Sequence, residues 1–221
     1  MEPMRIRAYL LDGRVAATEP YLPLDSILAA EWARKNYPEE FYNPPKPGQN
    51  EGWIIADLPF EKRGQGNRWY WACSFNQTRP VKEYIMHWNR RFDDQFEKYI
   101  DFQGKRGKVD SSSGRYKAYR MPLTVLLFPY LEWFAVGDIE AVRELCQGVA
   151  AIGKKPSQGL GFVKEWEVMP WHEDWSEIGP DGKLMRALYE LPRGGKAIMR
   201  QYGMRPPYWR RENQGVVYCP Y

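Results

Sequence analysis

The chain is poor in the residues on which most metal and redox chemistry is built. It has three cysteines, Cys73, Cys146 and Cys219, and two histidines, His87 and His172, in 221 residues. The cysteines are far apart and odd in number, and no C-x-x-C pair occurs, which argues against a disulfide framework and against a zinc site. No run of about 18 apolar residues is present, so no membrane span is expected. The N-terminus, Met1-Glu2-Pro3-Met4-Arg5, lacks the apolar stretch of a signal peptide, and a cytoplasmic protein is expected. Neither G-x-x-x-x-G-K-[ST] nor a helix-opening G-x-G-x-x-G occurs. ATP or a dinucleotide is therefore a poor ligand for this chain, and no cofactor is expected.

What the chain does contain is basic and aromatic. Its length bounds it to one domain or one and a half, and 43% apolar residues suffice for a core. The net charge of +4 is mild, but its distribution is not. From Gly104 to Arg120, six basic residues (Lys105, Arg106, Lys108, Arg115, Lys117, Arg120) face the single acid Asp110. From Lys183 to Arg211, eight basic residues, Arg186 and Arg205 among them, face Glu190 alone. Concentrated positive charge points to a phosphate-bearing partner. Aromatics reach 15% and repeatedly adjoin basic residues, as in Arg68-Trp69-Tyr70-Trp71, Arg115-Tyr116-Lys117-Ala118-Tyr119-Arg120 and Tyr208-Trp209-Arg210-Arg211. Rings of this kind stack bases in single-strand binders, although most rings in any globule serve its core.

The elements follow from periodicity. Arg5 to Leu11 alternates, with Ile6, Ala8 and Leu10 on one face, as a strand does. Pro23 to Lys35 reads as a helix with Asp25 available as a cap and Pro38 beyond its end. Pro44 to Gly48 reads as a loop and Trp53 to Pro59 as a second strand. Arg68 to Phe75 alternates as a third strand or half of a hairpin. Tyr84, Trp88, Phe92, Phe96 and Ile100 recur at helical spacing, so Glu83 to Phe102 is expected to be a helix. Tyr116 to Phe134 is extended, with Pro122 and Pro129 confined to edges or bends. Ile139, Val142, Leu145, Cys146 and Val149 share one face of a helix over 138–152, which Asp138 caps and Gly153 stops. A strand follows over 162–170.

Between that helix and that strand lies Gly153-Lys154-Lys155-Pro156-Ser157-Gln158-Gly159-Leu160-Gly161. Glycines let a phosphodiester backbone approach, and free N–H groups and lysines can hold it. The order β-α-β-β-α-β is that of an α+β, ferredoxin-like (RRM-like) fold, whose sheet face is a common RNA platform.

With these parts in order, the chain resembles the RAMP superfamily of CRISPR systems, and within it the Cas-five-like subunit of type IV effector complexes. The resemblance rests on Ile152 to Val163, supported by Leu22-Pro23-Leu24-Asp25-Ser26-Ile27-Leu28-Ala29 and Gly182-Lys183-Leu184-Met185-Arg186-Ala187-Leu188, and spans about residues 4–190. It implies a single RAMP domain over 1–221, with a thumb-like insertion at about 61–118 and a basic C-terminal extension at about 171–221. The implied role is a non-catalytic subunit that binds the 5′ handle of the guide RNA (crRNA). Its partners would be the backbone RAMP subunits, whose filament it caps, and the large subunit; contact with target DNA stays open. RNA-binding positions would be Gly153, Lys154, Lys155, Ser157, Gln158, Gly159 and Gly161 in the loop, with Arg63, Arg68, Lys105, Arg106, Lys108, Arg115 and Lys117 in the insertion.

The alternative is a metal-independent endoribonuclease that processes precursor guide RNA. That chemistry needs a base for the 2′-OH and an acid or cation at the leaving oxygen. No histidine lies in or just after the first helix, where processing RAMPs commonly keep one. His87 reads as structural, and His172-Glu173-Asp174 as a polar turn rather than a metal cluster. A third possibility is an interaction domain whose basic surface meets acidic protein.

Overall fold

A computed structural model describes residues 1–43, 56–102, 107–205, 207, 208 and 210–220. In chain order the strands and helices are β1 (Glu2–Leu10), β2 (Arg14–Ala16), α1 (Leu24–Asn36), α2 (Pro38–Tyr42), β3 (Lys62–Arg63), β4 (Tyr70–Trp71), β5 (Lys82–Arg90), β6 (Tyr119–Leu127), β7 (Leu131–Gly137), α3 (Ile139–Gly148), β8 (Val163–Pro170), β9 (Ile198–Gly203) and β10 (Gln214–Cys219). The architecture is α+β, with several small antiparallel sheets and few helices.

The central sheet has the order β7-β1-β8, with β1 antiparallel to both neighbours. Alternation along β1 sends Met4, Ile6 and Ala8 into the core. There they join Leu131, Trp133 and Ala135 of β7, Val168 of β8, Leu24 and Leu28 of α1, and Ile139, Val142, Leu145 and Cys146 of α3. α3 forms because those four residues make one continuous apolar stripe and because the Asp138 carboxylate accepts from the Ala141 amide at 3.1 Å. It ends at Gly148, short of the expected Ile152. Chain 72–77 runs along the outer edge of β7 through Ser74 N–H to Phe134 O, Gln77 N–H to Glu132 O and Val136 N–H to Ala72 O, at 2.8–2.9 Å.

Two expectations fail here for identifiable reasons, and a third lies partly outside the described residues. Residues 83–90 are not helical. They belong to β5, which pairs with β6 over nine residue pairs from Lys82–Leu127 to Arg90–Tyr119. A four-residue spacing such as Tyr84–Trp88 satisfies a period of 2 as well as one of 3.6, and the ladder to β6 selects the strand. Asp25 does not cap α1: Pro23 occupies the cap position with no side-chain bond, and Asp25 lies inside the helix, buried. In the expected strand 53–59, Trp53, Ile54 and Ile55 lie outside the described residues, and Ala56 to Pro59 form no strand. The Arg68–Phe75 segment is half of a short hairpin, β4 against β3.

β6 carries β2 on its other side only at Val125 to Leu127. Farther out, β5 and β6 form a two-stranded ribbon, with Pro122 on the edge that needs no N–H donor. A smaller cluster of Phe75, Ala187, Met204, Val217 and Cys219 fixes the β9–β10 hairpin to the rest.

Candidate nucleic-acid interface

Pairing of β5 with β6 sets Tyr84, Met86, Trp88 and Arg90 opposite Val125, Leu123, Met121 and Tyr119 on one face of the ribbon. At its base Tyr84, Met86 and Leu123 pack on a buried plug of Ala16, Val125 and Leu160. Leu160 belongs to the glycine loop, so ribbon and loop share an apolar seat. One step outward, the Lys155 ammonium lies 3.4 Å from the centroid of the Trp88 ring. Trp88 meets Tyr119 edge-on at 5.2 Å, and the Arg90 guanidinium lies 5.9 Å from the Tyr119 ring. Arg90 also donates to the Arg115 carbonyl at 2.7 Å. Arg115 sits 6.0 Å from the Tyr116 ring, which meets Phe92 at 5.1 Å. Cations and rings thus alternate from the glycine loop to the far end of the ribbon. Lys108, Arg115, Lys117 and Arg120 are exposed there. Asp110, the one acid of that basic run, folds into its own turn: the hydroxyl of Ser112, then that of Ser113, hold its carboxyl down at about 2.

The glycine loop is held more tightly than its composition suggests. The Lys154 N–H donates to Ala16 O, Gln158 N–H to Lys155 O, Gly159 N–H to Pro156 O and Gly161 N–H to Arg14 O, all at 2.8–2.9 Å. Those four donors hold the fold together and are not available to a phosphate as the sequence suggested. Gly161 is buried with φ +75°, and a Cβ there would lie 1.9 Å from the Ile152 carbonyl. Gly153, Lys154, Ser157, Gln158 and Gly159 are exposed, and Lys155 is half-buried.

The other expected positions divide. Arg68 is exposed, 5.6 Å from the Tyr189 ring. Arg63 is engaged: its guanidinium lies 2.9 Å from Glu61, 2.7 Å from Asp174 and 3.3 Å from Glu177. Burial opposes its charge, but hydrogen bonds to Glu61 and Asp174 and the neighbouring carboxylates raise its pKa further above the usual range. It is therefore a structural cation rather than a free phosphate ligand. Lys105 and Arg106 lie outside the described residues.

Part of the C-terminal basic stretch is also consumed by the fold, while Lys183, Arg193, Lys196 and Arg211 stay exposed. Arg186 is 1% exposed, donates to the carbonyls of Trp71, Cys73 and Ala187, and lies 3.8 Å from the buried Asp25 carboxylate. Arg205 is buried against Asn213, Asn67 and Glu212. Arg200 makes a two-pronged bridge to Glu19 at 3.0 Å. A run of like charge in sequence marks a surface patch only where the side chains stay outside and unpaired, and Arg186, Arg205 and Arg200 are buried or paired within the fold.

The outward face of the central sheet is likewise closed to stacked bases at its centre. Arg5 pairs with Glu167 at 2.8 Å and lies 3.9 Å from Glu132, while Arg7 pairs with Glu132. Ion pairs stand where the expected RNA platform needs exposed rings. His87 is exposed on the opposite ribbon face from Trp88, across from Pro122. His172 lies tilted against Trp171 and edge-on to Trp175, and Asp174 is committed to Arg63 and Ser176. Sequence reading missed Trp88 and Arg90 as site residues. The alternation Tyr84, Met86, Trp88, ahead of a Gly/Ser turn and a second alternating run, was the signal for them.

Among the described residues, no helix is long and apolar enough to cross a membrane. No curated protein matches the chain. A family model described as CRISPR type IV associated protein Csf3 matches residues 2–220.

Proposed function

The chain belongs to the family of CRISPR type IV associated protein Csf3, which gives it a role in a CRISPR effector complex, and on that premise we propose that it is the subunit that grips the 5′ handle of the guide RNA. The observation that carries this reading is the alternating row of cations and rings that begins at the glycine loop and runs out along the β5–β6 ribbon. Phosphates would meet Lys154, Ser157 and Gln158 at the loop and Arg115, Lys117 and Lys108 farther out, with Arg68 on the β3–β4 side. Unpaired bases would lie against Tyr119 and Tyr116. Stacking and cationic contacts together suit a single strand better than a duplex.

The fold of a RAMP protein is part of the same proposal. It is supported by β1 lying between β7 and β8, by α1 following β1, by α3 joining β7 to β8, and by chain 72–77 along the outer edge of β7. This arrangement supports a ferredoxin-like sheet, and in this reading the ribbon is the inserted thumb inside a single domain. In this reading the subunit is non-catalytic, caps a filament of backbone subunits and adjoins the large subunit.

Titration of handle RNA with salt tests the assignment. Lys154→Ala is expected to weaken binding and to flatten the log–log salt dependence by about 0.7, the value for one phosphate contact on a single strand. An unchanged slope removes Lys154 from the interface. Incubation of repeat RNA with the protein in EDTA tests the non-catalytic role: the RNA is expected to stay intact, and a single defined cut lost in His87→Ala would overturn it.

A further inference from the structure

Lys155 has the one positive-φ backbone conformation found at a non-glycine residue among the described residues, with φ 60° and ψ 50°. An L-residue disfavours this conformation, and the residue before a proline is further biased toward extended backbone. Pro156 follows directly. Glycine would adopt this geometry without strain, and the loop uses glycine at three other positions. A lysine at this one points to its side chain.

That side chain ends over Trp88, 3.4 Å from the ring centroid. Trp88 sits where the ribbon has lost its third strand, since β2 reaches only Val125 to Leu127 of β6. A two-stranded ribbon is marginal in water without further packing. The Leu160 plug seats the ribbon at Tyr84, Met86 and Leu123, and the Lys155 contact is the next anchor outward. Lys154 is set differently: its backbone is tied to Ala16 and its side chain is exposed.

We infer that Lys155 is a positioning residue rather than a phosphate ligand: its ammonium clamps the β5–β6 ribbon to the glycine loop through the indole of Trp88. The clamp fixes the distance from Lys154 to Tyr119 and Arg90, and so presents one strand of RNA to both parts of the site at once. The two adjacent lysines have separate tasks, one outward to the ligand and one inward to the scaffold. The RNA half of this inference rests on the proposed function; the clamp itself does not.

Hydrogen exchange on the RNA-free protein reads the clamp directly. Lys155→Met keeps the aliphatic stem and loses the charge. It is expected to speed exchange of the ribbon amides over residues 86–90 and 119–123 by roughly 5- to 30-fold, the range for a partly desolvated cation–π contact. Lys155→Arg is expected to restore protection. Lys155→Gly relieves the backbone strain, so it separates side-chain loss from misfolding: it should keep the core protected and leave the ribbon fast. Handle RNA should bind Lys155→Met several-fold more weakly with the wild-type salt slope. Ribbon exchange that is unchanged in Lys155→Met, or a slope reduced by about 0.7, overturns the inference. Failure of the wild-type protein to bind RNA would sink the proposed function, while the exchange measurement would still decide the clamp.

Discussion

Replacing Arg186 with methionine should unfold far more than its place in a basic run suggests. The guanidinium is enclosed, donates at 3.0 Å to Cys73 O and at 3.2 Å to Ala187 O, and sits over the Tyr70 ring at 4.5 Å. Its counter-ion, Asp25, is 2% exposed on α1, where burial pushes the carboxyl up against the opposing pull of Arg186. Removing one member of such a pair leaves a buried charge uncompensated and costs about 3–5 kcal/mol. For a chain of 221 residues, at about 2–4 °C per kcal/mol, that lowers Tm by roughly 6–20 °C. Methionine fills much of the volume, so little of this loss comes from a cavity. The double variant Arg186→Met, Asp25→Leu removes both charges. It should recover at least half of that loss of about 3–5 kcal/mol, since the cost of orphaning the Cys73 and Ala187 carbonyls is common to both variants and cancels between them. The Trp71 carbonyl keeps its bond from the Cys73 amide at 2.8 Å. Urea unfolding followed by tryptophan emission measures all three proteins, and a salt titration with RNA completes the set. The reasoning is refuted if Arg186→Met lies within 1 kcal/mol of wild type, if the double variant is no better than the single, or if the RNA salt slope falls by about 0.7.

Two glycines two residues apart in the chain should behave differently. Gly161→Ala, with φ +75° and a Cβ 1.9 Å from Ile152 O, is expected to cost roughly 3–4 kcal/mol. Gly159→Ala, with φ +76° and nothing within 4 Å, should cost only about 1–2 kcal/mol for its backbone conformation, so equal losses in thermal unfolding would refute the contrast. All three cysteines are buried, so a thiol reagent at pH 8 should label none in the native protein and three in denaturant. Burial pushes the Cys146 thiol up to about 12 from an ordinary value of 9.0. The unfolded chain therefore loses this proton first, and stability falls as pH rises from about 9 toward about 12. Cys146→Ala should flatten that decline, and an unchanged pH profile would count against the burial.

The parts that were legible in the sequence are those whose signal is local. β1, α1, α3 and β8 each carry their own period, and α3 carries its cap in Asp138 as well. The glycine loop was visible as composition. Residues 83–90 were misread because spacings of four fit strand and helix alike, and only the partner strand some 35 residues later removes the ambiguity. The three roles of arginine were not legible either. Arg115, Arg63 and Arg186 look equivalent in a charge count, yet one is exposed on the ribbon, one is bridged to three carboxylates, and one is buried among carbonyls.

The sequence by itself determined an α+β chain of alternating and 3.6-periodic segments, a basic and aromatic surface chemistry, and a glycine loop between helix and strand. Periodicity and composition are properties of neighbours along the chain, so they can be read without coordinates. Tertiary structure alone decided which cations stay free for a ligand, and it brought Lys155 over Trp88, two residues 67 positions apart in sequence. Both outcomes depend on which surfaces face each other after the strands pair, and that register is set by contacts between segments rather than within them.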